Sequence, residues 1–215
     1  MTNNETSIFI QKNTAAIRIW HWLTFLFVIA LIVTVLLEST VLNQRQNIAV
    51  VQKALMEKGV TVDNNQALAV SHLYGEKMWD IHKILGYFLS FLFLSRLIIE
   101  LTQPKDQRLG FRLNKASASY KQGGSDKKDW RHYLIVKYSY SLFYLLLLAM
   151  VTTGLLIAFG GNFGIAGPTR HSIKEIHAFI QYLIYAFVVL HLGGVVLMDI
   201  TKAKGIVSGM INGGK

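Results

Sequence analysis

Four histidines in this sequence sit where chemistry is the natural explanation for them. His21, His82, His177 and His191 lie inside, or just inside, long apolar runs. The other three, His72, His132 and His171, sit in loops or at borders. An imidazole that must lose its water inside a hydrocarbon layer is costly, so an intramembrane histidine is a functional hypothesis by default. His177 and His191 are fourteen residues apart. On a helix that spacing puts them within about 40° of one face and ~21 Å apart in depth. Two ligands on one face at two depths suit two stacked haems, one near each membrane surface. Each haem then needs a second histidine from another helix at matching depth.

The elements that would position these ligands are four apolar segments, at about 19–37, 81–101, 138–159 and 176–198. A hydrocarbon core of ~30 Å needs about 20 helical residues. Helix is the state that satisfies backbone groups within one segment in lipid. The first segment lacks a small-residue cleavage site, since Glu38, Ser39, Thr40 and Val41 follow it, and is read as an uncleaved signal anchor.

The basic residues set the orientation. Lys12 and Arg18 precede the first span. Lys105, Arg108, Arg112, Lys115, Lys121, Lys127, Lys128, Arg131 and Lys137 lie between the second and third, and Lys202, Lys204 and Lys215 follow the fourth. Four spans put these three regions on one side, expected to be cytoplasmic. The opposite side has Arg170, and Arg45, Lys53, Lys58 and Lys77 balanced by Glu38, Glu57, Asp63 and Glu76. The expected fold is therefore all-α: an integral membrane four-helix bundle, one domain over 1–215, with both termini cytoplasmic. The outer loop, 38–79, carries an expected amphipathic helix at 47–58 stopped by Gly59. The inner loop, 102–131, is polar, contains Gly123 and Gly124, and is expected to be mobile.

With this topology the histidines pair by depth. His82 opens the second span on the outer side and pairs with His177. His21 opens the first span on the inner side, one turn past Arg18, and pairs with His191. A single histidine near a helix end is ordinarily an interfacial hydrogen-bonding residue. Four that pair by depth across three helices are harder to explain that way. A binuclear metal site would need clustered carboxylates, which the spans lack. Gly86, Gly154, Gly193 and Gly194 are candidates for backbone meeting a flat macrocycle, with close helix–helix packing as the alternative.

Arg96 follows His82 by fourteen residues, at the depth of the inner haem. It is a candidate for a propionate of that haem or for a quinone. The alternative is an i, i+4 ion pair with Glu100 and a side chain reaching outward. Arg18 is a second propionate candidate. Lys83, Arg170 and Lys174 are weaker candidates for the outer haem, and read as interfacial anchors together with Trp20, Trp22, Trp79 and Trp130.

Composition agrees with a membrane role. Hydrophobic residues are 52% and charged residues 16%, with mean hydropathy +0.37. The net charge of +10 is segregated by side, so it does not point to nucleic acid. The absence of cysteine excludes cysteine-ligated iron–sulfur clusters, disulfides and covalently attached c-type haem.

Three strings carry a family resemblance: Arg18-Ile19-Trp20-His21-Trp22, His82-Lys83-Ile84-Leu85-Gly86-Tyr87, and Ile176-His177 followed by His191-Leu192-Gly193-Gly194. The ordered set resembles the prokaryotic cytochrome b561 superfamily, which includes the cytochrome b subunits of nickel–iron hydrogenases and of membrane formate dehydrogenases. The resemblance implies four helices holding two non-covalent haems b, with His21, His82, His177 and His191 as ligands. It implies electron transfer between an outer-face donor and the quinone pool of a bacterial inner membrane. The partners implied are lipid, quinone and periplasmic dehydrogenase or hydrogenase subunits. The chain would then be the electron-transfer subunit of a respiratory oxidoreductase, with no catalytic residue of its own. Stand-alone relatives, including some that oxidise superoxide and reduce quinone, offer the alternative. A haem-free transporter or assembly factor is a third reading, although the third and fourth spans lack the breaks and carboxylates typical of transport.

Overall fold

The computed structural model describes residues 13–123, 127–201 and 205–213. Lys12, Lys202, Lys204 and Lys215 of the charge pattern, and Gly124 of the inner loop, lie outside the described residues. The described residues are all-α. Four helices are long and apolar enough to cross a membrane: α1 (Ala15–Ser39), α3 (Asn64–Thr102), α5 (Lys127–Phe159, from Trp130 onward) and α6 (Gly167–Thr201). Three shorter helices accompany them: α2 (Gln44–Met56), α4 (Leu109–Gln122) and α7 (Ile206–Asn212). This is the all-α membrane class that the apolar runs predict. The chain forms two compact units, one of Leu23–Phe91 and one of Met1–Trp22 with Leu92–Lys215.

In the unit Leu23–Phe91, α1 and α3 run antiparallel. Phe27 stacks on Phe88 with centroids 5.4 Å apart, and Thr34 meets His82. The helix α3 has 39 residues and starts well before its apolar span. Asp63 and Gln66 form a reciprocal capping box: the Gln66 N–H donates to Asp63 Oδ1 at 2.8 Å and the Asp63 N–H to Gln66 Oε1 at 2.9 Å. At 1.5 Å per residue such a helix is about 58 Å long, so it outreaches a hydrocarbon layer of ~30 Å. His72, expected in a loop, therefore lies on a helix, where it faces Glu76 at 3.4 Å. The amphipathic helix α2 begins at Gln44 rather than 47, because the Asn43 side chain accepts from the Gln46 N–H. Gly59, at φ +78°, follows it in a conformation that favours glycine.

In the other unit α5 packs antiparallel on α6. Phe143 stacks on Phe187 at 4.6 Å and Thr153 meets His177. Leu147, 1% exposed, is the largest fully buried side chain among the described residues. His132 and His171, expected at borders, lie within α5 and α6. The inner connection differs from the mobile loop expected. It holds the fourteen-residue helix α4, which packs on α5 with Ala116 fully buried. One carboxylate starts that helix: Glu100 Oε1 accepts the Leu109 N–H at 2.6 Å. An anion at a helix N-terminus satisfies an orphan donor and complements the macrodipole.

Leu147→Ala removes packing that lipid cannot replace from within the unit. It is expected to cost about 2–5 kcal/mol, read as a lower denaturation midpoint in detergent. An unchanged midpoint would show that α5 does not depend on this contact.

Candidate functional site

His21 comes from the start of α1 and His191 from the second half of α6, both in the unit that combines 1–22 with 92–215. Their ring centroids are 6.3 Å apart, with planes inclined at 56°. Two imidazoles bound to opposite sides of one metal through bonds of about 2 Å have centroids roughly 6 Å apart. His191 is held by Phe187, one turn earlier, whose ring lies nearly parallel at 8° and 5.7 Å. The Trp22 ring meets His21 edge-on at 5.4 Å. His21 Nδ1 is buried with no hydrogen-bond partner among the described residues.

His177 and His82 are held differently. His177 Nδ1 lies 2.8 Å from Thr153 Oγ1, which itself bonds the Ala149 carbonyl at 2.6 Å. A Cβ added at Gly154 would stand 3.3 Å from His177 Cε1, so the missing side chain gives the imidazole its room. His82, in the unit Leu23–Phe91, has Nδ1 2.7 Å from Thr34 Oγ1, and that hydroxyl bonds the Leu31 carbonyl at 2.7 Å. The Trp79 ring meets His82 edge-on at 5.5 Å. Thr34 and Thr153 escaped the sequence reading. Their only signal was a hydroxyl within an apolar span, which is common in membrane helices.

Arg96 is 8% exposed and does not reach outward. Its Nη2 pairs with Glu100 at 2.8 Å, and its Nε donates to the Tyr144 hydroxyl at 3.0 Å. The guanidinium lies over the rings of Tyr144 and Trp20, at 5.2 and 5.8 Å. Its Nη1 is buried with no hydrogen-bond partner among the described residues. The ion pair weighed against the propionate role is therefore present, yet one guanidinium donor remains for an oxygen acceptor. Trp20 is not an interfacial anchor: it is buried and donates to the Leu92 carbonyl at 2.7 Å. Trp22 donates to the Met210 carbonyl of α7 at 3.0 Å. Arg18 packs its guanidinium against Gly213, and its buried Nε has no hydrogen-bond partner among the described residues.

The remaining candidates are less constrained. Lys83 pairs with Asp80 at 2.7 Å, and both are well exposed. Exposed His171 faces Glu175 at 3.2 Å. A Cβ at Gly86, Gly193 or Gly194 would meet no heavy atom of the described residues within 4 Å, so close packing against those residues does not explain these three. Among the described residues no group of three or more His, Cys, Asp or Glu side chains is placed to hold a bare metal ion. Paired imidazoles suit a metal whose other ligands come from a macrocycle.

Glu100→Gln would leave the Arg96 charge buried and unpaired. A loss of about 3 kcal/mol is expected, with much of it recovered in Arg96→Leu/Glu100→Leu. Denaturation midpoints of both variants test this. A double variant worse than the single would show that the pair itself is indispensable.

No curated protein and no solved structure matches this chain. The family model described as prokaryotic cytochrome b561 matches residues 13–213, nearly the whole chain, and so takes in every histidine described above. With four membrane-length helices and that match, this chain belongs to the prokaryotic cytochrome b561 family, whose members bind b-type haem in the membrane and transfer electrons.

Proposed function

We propose that the chain carries electrons across a bacterial inner membrane through two bis-histidine haems b. His21 and His191 serve the inner haem, and His82 and His177 the outer one. The observation that carries this reading is the 6.3 Å spacing of the His21 and His191 rings. It suits one metal between two imidazoles, and the missing side chain at Gly154 leaves the His177 ring its room. When bound, haem supplies reversible one-electron chemistry at its iron. The protein's part is to fix the imidazoles, exclude water and set the surrounding charge.

Arg96 serves the inner end. Its Nη1 donor suits a propionate or a quinone carbonyl oxygen, while Glu100 offsets part of its charge. Arg18 serves the same end. Electrons would enter from an outer-face donor, such as a periplasmic dehydrogenase or hydrogenase subunit, and leave to membrane quinone. Both termini are cytoplasmic in this reading, on the side of the basic helix α4.

A visible spectrum of detergent-purified protein, oxidised and then reduced, tests the cofactor. About two non-covalent haems b per chain are expected. His21→Ala and His191→Ala should remove the same haem, and His82→Ala and His177→Ala the other. A colourless, folded preparation would overturn the haem reading, and one haem per chain would break one pair. Because the native chain has no cysteine, single cysteines test the orientation. Lys53→Cys in α2 and Lys115→Cys in α4 should react with an impermeant thiol reagent from opposite sides, with Lys53→Cys on the periplasmic side. Labelling from one side would sink the topology.

A further inference from the structure

The argument starts from the number of protons on a threonine hydroxyl, which is one. Thr153 Oγ1 lies 2.6 Å from the Ala149 carbonyl, which can only accept. The hydroxyl proton therefore points along its own helix. The 2.8 Å contact to His177 Nδ1 must then use the hydroxyl oxygen as acceptor and the ring N–H as donor. Thr34 repeats the arrangement on a different helix. Its proton goes to the Leu31 carbonyl at 2.7 Å, so His82 Nδ1–H donates to Thr34 Oγ1 at 2.7 Å. In a neutral imidazole whose Nδ1 carries the proton, Nε2 keeps the lone pair.

We propose that Thr34 and Thr153 are positioning residues which fix His82 and His177 in the Nδ1-protonated tautomer, present Nε2 to iron, and lower the redox potential of the haem those histidines serve. The inference rests on the haem reading above. Its physical basis is that a hydrogen bond from the distal ring nitrogen orients a ligating histidine and raises its basicity. A more basic ligand favours the ferric over the ferrous state, so the potential falls. His21 lacks this device, since its Nδ1 has no hydrogen-bond partner among the described residues. The haem served by His21 is therefore the one to which electrons run downhill. Lipid cannot supply a substitute acceptor, so the hydroxyl is the group on which each tautomer depends.

Redox titration of the purified haem protein, followed by optical and electron paramagnetic resonance spectra, tests this. Thr34→Val and Thr153→Val keep the side-chain shape and remove the acceptor. Each should raise the lower midpoint potential and spare the higher one. A tenfold change in the oxidised-to-reduced ratio is a rise of about 59 mV. The low-spin ferric signal of the same haem should shift. Thr34→Ser and Thr153→Ser, which keep the hydroxyl, should hold the native values. Loss of one haem in the valine variants but not in the serine variants would equally support the role. Unchanged potentials with both haems retained, or equal loss in the serine variants, would overturn it. A native protein that purifies folded but without haem would instead overturn the reading on which the inference rests.

Discussion

A ring nitrogen carried into a hydrocarbon layer costs free energy unless the protein supplies a partner, because lipid offers none. This constraint organises the membrane-spanning part of the chain. At His82 and His177 the partner is a threonine hydroxyl whose own proton is already committed to a helix carbonyl. Side-chain-to-backbone bonding of this kind is usually a mild liability in a helix. Here it turns a hydroxyl with two possible roles into a one-way acceptor. Direction in a hydrogen bond, rather than its strength, is what the arrangement contributes.

The helices exist in the register that makes these contacts possible. Antiparallel pairing of α5 with α6 places Thr153 against His177 and, ten residues away on each helix, Phe143 against Phe187. The same kind of pairing in the unit Leu23–Phe91 sets Thr34 against His82 and Phe27 against Phe88. Aromatic stacking thus fixes the axial register about two to three helical turns from each polar contact. A slip of one residue would rotate a helix by about 100° and break both at once. Gly154 adds the last condition, since a larger side chain there would press on the His177 ring.

Arg96 obeys the same rule with a full charge. Burying a guanidinium is tolerable only with an anion and further acceptors beside it. Glu100, Tyr144 and the faces of Tyr144 and Trp20 supply these. The carboxylate is shared, for it also takes the Gln103 amide at 2.6 Å and starts α4 through the Leu109 N–H. A residue that reads as half of an ordinary i, i+4 pair therefore joins a buried cation to the basic helix that follows.

Sequence alone determined the class of fold and singled out the residues proposed to carry chemistry. Long apolar runs admit only helices in lipid, and the cost of burying an imidazole singles out His21, His82, His177 and His191 against a background with no cysteine. The family match over 13–213 agrees with that reading of the class. The extra turns of α3, the helix α4 and the buried state of Trp20 were decided by local caps and tertiary contacts, which apolar periodicity does not encode. The threonine acceptors were invisible for a deeper reason. Thr34 and His82 are 48 residues apart and Thr153 and His177 are 24 apart, so each contact exists only once two helices are docked in register. A threonine in an apolar run is unremarkable until the neighbouring helix brings a ring nitrogen to it, and the direction of its proton follows only from the carbonyl already in place.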